Sequence, residues 1–173
     1  VQTCALPIYA TQSCTVVVTY NPSAAGTHTD TVDLAYSNGV SAQNASRDIQ
    51  GTAVAPANLT ITDGPTYDYG PVVSTGSADK TFTIQNTGAL AAATVNGTGL
   101  AAPFSFKGGS YPGTGGSCGT TVNAGATCTV VVTFNPTATG PFSDALDMTY
   151  FDGANNQTSS RRSEEHTSEL QSH

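Results

Sequence analysis

The sequence predicts an all-β chain built from tandem sandwich modules, and three observations carry that prediction. The first is an internal repeat. Ser13–Gly39 reads SCTVVVTYNPSAAGTHTDTVDLAYSNG and Thr127–Gly153 reads TCTVVVTFNPTATGPFSDALDMTYFDG, without a gap and with 14 of 27 positions identical. Self-similarity at this length marks one structural unit seen twice. The second is period-two alternation of apolar and polar residues, which places successive side chains on opposite faces of a strand. The third is composition: only 10% of residues are charged, and Thr, Val, Gly, Asn and Pro are frequent. Such a mixture favours many short strands separated by turns.

The strands follow in order. Leu59 and Ile61 alternate with Thr60 and Thr62, and Phe82 and Ile84 with Thr81, Thr83 and Gln85. Cys128, Val130, Val132 and Phe134 form one face of the next strong strand, which Asn135-Pro136 ends, because proline cannot donate to a ladder. Leu146, Met148 and Tyr150 alternate with Asp147 and Thr149. Asn38-Gly39 and Asp152-Gly153 predict tight type I′ hairpins with positive φ at both central residues. No stretch shows the apolar spacing of a helix. About seven short strands with frequent turn signals predict an Ig-like β-sandwich.

The register divides the chain. Residues 9–54 are the closing half of one copy, truncated on its N-terminal side. Residues 55–161 are a nearly complete second copy that lacks its last strand, because Asp48–Val54 has no counterpart after Arg161. The two ends stand apart from the repeat. Back-translating Val1–Ile8 as GTT CAG ACG TGT GCT CTT CCG ATC, plus one T, gives a reverse complement that reads RSEEHTSE, the run Arg162–Glu169. The pair resembles a short-read sequencing adapter translated in both directions. Residues 1–8 and 162–173 are therefore expected to be foreign to the fold, and the tail disordered, since so short an isolated segment cannot sustain a helix.

Setting the ends aside removes every Glu and leaves nine Asp against Arg47, Lys80, Lys107 and Arg161. This acidic balance argues against nucleic acid, because no basic patch is available to neutralise phosphates. No apolar run approaches the ~20 residues that span a bilayer, so no membrane contact is expected. Cys118 and Cys128 bracket one loop, and Cys14 is the repeat equivalent of Cys128. A Cys118–Cys128 disulfide is the simplest count, with free thiols or zinc as the alternatives. Zinc lacks a second ligand pair, since His28 lies in the other copy. Cys14 is expected to be unpaired.

Several segments then resemble a known family. Tyr67-Asp68-Tyr69-Gly70, Thr81–Gly88 (TFTIQNTG) and Pro103-Phe104-Ser105 look like the opening half of bacterial choice-of-anchor D repeats. Cys118-Gly119, Gly125, Cys128, Phe134-Asn135-Pro136 and Gly140 match the closing half. These repeats are similar to the Ig-like domains of the Hydin, ASH and MSP group. The resemblance implies a secreted or cell-surface bacterial protein made of tandem modules, with neighbouring repeats as partners.

No catalytic, cofactor or metal site is expected. His28 is the one histidine outside the tail, and its repeat position holds Phe142, so that position accepts a ring for packing. No paired Glu supports glycoside hydrolysis, and no cysteine stands beside a base. Asp30 with Asp144 and Asp33 with Asp147 recur on the strands and raise calcium as an alternative to a solvated face. The glycine-rich loop around Tyr111-Pro112 has no following helix or lysine for phosphate. Tyr111 in this loop and Tyr67, expected to point outward, are the candidate contacts for a glycan or protein ligand. Three roles follow: a non-catalytic structural spacer, an adhesive or glycan-binding module appended to a secreted enzyme, or an intracellular scaffold domain. The cysteine pair opposes the third.

Overall fold

A computed structural model describes residues 13–64 and 66–165, and among them there is no helix. The chain divides into two compact units, residues 1–54 and 55–173.

Among its described residues the first unit is a two-stranded antiparallel sheet of β1 (Gly26–Ser37) and β2 (Ala42–Ala53). Tyr36 faces Gln43, Val32 faces Arg47 and Gly26 faces Ala53. Asp48–Ala53, read as a separate closing strand, is the second half of β2 and pairs with Gly26–Thr31.

The second unit is a sandwich of two sheets. It contains β3 (Leu59–Ile61), β4 (Thr66–Asp68), β5 (Ala78–Asn86), β6 (Ala92–Thr98) and β7 (Phe104–Phe106). These are followed by β8 (Thr121–Val122), β9 (Thr127–Phe134), β10 (Phe142–Phe151) and β11 (Asn156–Glu165). One sheet has the order β4-β11-β10-β6-β8 and the other β3-β5-β9-β7. The predicted alternation decides what lies between them. Leu59, Ile61, Phe82, Ile84, Val130, Val132, Phe134, Leu146, Met148 and Tyr150 are all buried. Phe104 and Phe134 stack at 4.8 Å between ring centroids, and Tyr69 lies 5.6 Å from Phe134.

The repeat is visible as register. Tyr150 faces Gln157 and Leu146 faces Arg161 in β10–β11, as Tyr36 faces Gln43 and Val32 faces Arg47 in β1–β2. Arg162–Glu165, expected to be disordered, continue this ladder opposite Phe142–Ala145. The same residues give β4 its parallel partner. A ladder is made by backbone N–H and C=O groups, so β10 offers pairing to whatever sequence follows Arg161. Residues 166–173 of the tail lie outside the described residues.

Both hairpin turns depart from type I′. Positive φ occurs at Gly39 and Gly153, while Asn38 and Asp152 stand one residue earlier, outside the positive-φ region. The side-chain oxygens explain the difference. Asn38 Oδ1 accepts the N–H groups of Val40 and Ser41 at 2.9 Å, and Asp152 Oδ1 those of Ala154 and Asn155 at 2.7 Å. An Asx side chain that captures two loop N–H groups closes the turn itself and needs only one left-handed residue.

Candidate functional site

The glycine-rich loop between β7 and β8 was the first candidate. Tyr111 sits in it half-buried, with its ring edge-on to Phe106 at 5.9 Å and its hydroxyl donating to Gly119 O at 3.2 Å. Gly97 lies under the ring: a Cβ there would meet Tyr111 Cδ2 at 2.7 Å. Burial pushes the Tyr111 phenol up to about 12. The loop is tied down by its own backbone. Lys107 N and Val131 N donate to Val131 O and Pro112 O, and Thr114 N donates to Lys107 O. Tyr111 therefore closes the end of the sandwich, since an amphipathic ring packs its body and satisfies its polar tip at once.

Cys118 and Cys128 are disulfide-bonded, with Cα atoms 4.8 Å apart. The bond joins the end of that loop to β9, and Ser117 adds to it by accepting from Thr129 N at 3.0 Å. Cys14, expected to be unpaired, is also disulfide-bonded.

Tyr67 does not point outward. Its ring lies 4.6 Å from Phe82 and its hydroxyl donates to Thr81 O at 3.2 Å. Lys80 Nζ stands 5.4 Å from the ring centroid on the open side. A small core leaves its rim open, and a tyrosine covers it while keeping the hydroxyl paired.

The recurring aspartates do not converge. An odd separation places Asp30 and Asp33, and likewise Asp144 and Asp147, on opposite faces of their strands. Each has a local partner. Asp144 Oδ2 accepts from Ala101 N at 2.7 Å, Asp147 accepts from Ser160 Oγ, and Asp33 accepts from Ser46 Oγ. Among the described residues no cluster of three His, Cys, Asp or Glu is placed to hold a metal. His28 Nε2 bonds Ala24 O at 3.0 Å, and its ring stands 6.0 Å from Tyr20, as Phe142 stands 5.8 Å from Phe134.

Sequence reasoning passed over the most constrained polar cluster. Asn86, at the end of β5, is fully buried. Its Nδ2 donates to Leu90 O at 2.8 Å and Val122 O at 2.9 Å, and its Oδ1 accepts from Asn58 N at 3.1 Å and Gly88 N at 3.0 Å. Thr87 N donates to Asn58 O at 2.8 Å. A Cβ on Gly88 would meet Pro56 O at 2.1 Å. Asn86-Thr87-Gly88 thus clamps the entering segment Pro56-Ala57-Asn58. Ala57 N also donates to Asp152 O at 2.9 Å, linking that segment to the β10–β11 turn. Asp152 is buried too, and the N–H groups of Asn155 and Ala154, with the Gln157 amide, hold its carboxyl below the usual range. The only available signal was an asparagine at a core-facing strand position.

Comparison with known proteins agrees with this picture. The model of the HYDIN/CFA65/VesB-like, Ig-like domain family matches residues 61–163. The structure of the VesB protease of Vibrio cholerae is similar with a TM-score of 0.51 and 17% identity, over 65% of this chain and 32% of that one. The chain thus spans about a third of VesB. The ASH/PapD-like domain 7 of human CEP192 is similar with a TM-score of 0.47 and 13% identity, over 68% and 89% of the two chains. No curated protein sequence matches the chain. No helix among the described residues is long and apolar enough to cross a membrane. With the sandwich, its strand order and the family match over residues 61–163 in agreement, the chain belongs to the HYDIN/CFA65/VesB-like family of Ig-like domains.

Proposed function

We propose that the chain is a non-catalytic structural module of an exported bacterial protein, a spacer of the choice-of-anchor D kind whose partners are neighbouring repeats. One observation carries this reading. The polar side chains that could have formed a site, Tyr67, Tyr111, Asn86 and Asp152, are each committed to closing or clamping the sandwich. The Cys118–Cys128 disulfide supports export, because such bonds persist in oxidising compartments. It also weighs against the intracellular scaffold.

The test uses intact cells of the source. A membrane-impermeant amine label should modify Lys107, whose side chain is 45% exposed. Labelling only after lysis would overturn export.

The likeness to part of VesB favours a second reading, a module carried beside a catalytic domain that contacts glycan for it. A glycan array separates the two. The spacer predicts no binding by the native chain, whereas binding lost on Tyr111→Ala would support the appended module.

A further inference from the structure

The two hairpin tips are built alike and differ in one chemical group. Asn38 Oδ1 accepts from Val40 N and Ser41 N, and Asn38 N donates to Ser41 O at 3.2 Å. Asp152 Oδ1 accepts from Ala154 N and Asn155 N, and Asp152 N donates to Asn155 O at 2.9 Å. The residues that follow them, Gly39 and Gly153, both have positive φ. These contacts are local to the turn, so no neighbouring segment is needed to make them. Gly153, Ala154 and Asn155 are exposed even though Ala57 of the opening segment bonds Asp152 O, so water reaches a tip of this kind.

The first turn carries three features of an acyl-transfer site. Asn38 is followed by a glycine, so no Cβ shields the Gly39 nitrogen from Asn38 Cγ. The two N–H groups on Oδ1 polarise the carboxamide and stabilise the charge that develops on that oxygen under attack. Gly39 N donates to Ser37 Oγ at 3.2 Å, so the proton that the nitrogen must lose already points at a hydroxyl. The second turn lacks two of the three. Phe151 stands in place of Ser37, and Asp152 is a carboxylate kept ionised by the N–H groups around it, which makes it a poor electrophile. The chain's second Asn-Gly pair, Asn96-Gly97, lies in the β6–β10 ladder opposite Thr149 and Met148. Extended backbone there holds Cγ away from the next nitrogen.

We propose that Asn38 is a self-modifying site, which the chain converts to aspartate and isoaspartate without an enzyme. The Gly39 nitrogen bonds to Asn38 Cγ, the Cγ–Nδ2 bond breaks, and ammonia leaves with the proton relayed from Gly39 through Ser37 and solvent. Water then opens the cyclic imide, giving aspartate when it adds at Cγ and isoaspartate when it adds at the main-chain carbonyl. The aspartate product keeps the turn, because the Asp152 carboxylate accepts the same two N–H groups in the second unit. The site is independent of the spacer reading, which stands if the site fails.

The experiment incubates the full chain at mildly alkaline pH and follows both Asn-Gly pairs by peptide mapping with electron-transfer fragmentation, which separates aspartate from isoaspartate. In the folded chain Asn38 should convert at least about tenfold faster than Asn96, with both products formed, and in urea the two rates should converge. Ser37→Ala should slow conversion of Asn38 by about three- to tenfold in the folded chain, the effect of one hydrogen bond, and leave its rate in urea unchanged. An Asn38 that stays an amide, or equal rates at Asn38 and Asn96 in the folded chain, would overturn the proposal. So would a Ser37→Ala chain that converts as fast as the native one.

Discussion

Asn86 joins three elements through one amide, and its position makes it the least replaceable polar residue of the second unit. Asn86→Ala leaves Leu90 O, Val122 O and Asn58 N without their partner. Unmet buried groups cost about 1–3 kcal/mol each, though a water admitted to the site offsets part of that. A loss of at least about 2 kcal/mol in urea denaturation is the expected outcome. Gly88→Ala should cost about 1–3 kcal/mol by overpacking alone, since Pro56 is backbone-tethered at the point of contact. Asp152 sets the acid limit. Its carboxyl is held below the usual range in the folded state, so its contribution is present above about pH 4 and is lost as pH falls through the folded value. Thermal melts should show a steeper fall below pH 4 for the native chain than for Asp152→Asn. Tyr111 sets the opposite limit. Its phenol is raised to about 12, so stability falls once pH exceeds the ordinary tyrosine value of about 10. Ultraviolet titration should find Tyr111 ionising about two pH units late, and Tyr111→Phe should remove that part of the alkaline loss.

At the scale of elements, alternation located β3, β5, β9 and β10 and their buried faces, because one covered side imposes a strict period on a strand. Two features escaped it. The continuation of β11 through Arg162–Glu165 is a property of the β10 backbone, so no side-chain pattern announces it. The inward turn of Tyr67 depends on Phe82, which is close in space and fifteen residues away in sequence. Asn86 was missed for a third reason: an amide at an apolar position looks like a lapse in pattern until its four partners are known. The disulfide lends itself to a quantitative expectation. Closing the short Cys118–Cys128 loop stabilises by about 2–3 kcal/mol in the chain-entropy model. Reduction should lower the melting temperature of the second unit while leaving its far-ultraviolet spectrum intact, because the apolar core does not depend on the bond.

For the whole molecule, the two units should differ in stability although their hairpins share a register. The second unit buries Val132, Phe134, Met148 and Tyr150 between two sheets, whereas their equivalents Val18, Tyr20, Leu34 and Tyr36 in the first are exposed, and its described strands form one two-stranded sheet. A two-stranded hairpin is marginal alone. Native-state hydrogen exchange should therefore protect amides of β9 and β10 well beyond those of β1 and β2. The fold class was legible because it is written in side-chain period. What covers each face was not, since that is decided by distant segments.

A disulfide-stapled structural module working outside the cell, as proposed above, keeps Cys118 and Cys128 oxidised. Thiol mapping by mass spectrometry tests it most directly, on protein taken from its source with free thiols blocked at the moment of lysis. A cross-linked Cys118–Cys128 peptide is expected, with no blocked thiol at either position. Recovery of both cysteines as blocked free thiols would contradict it.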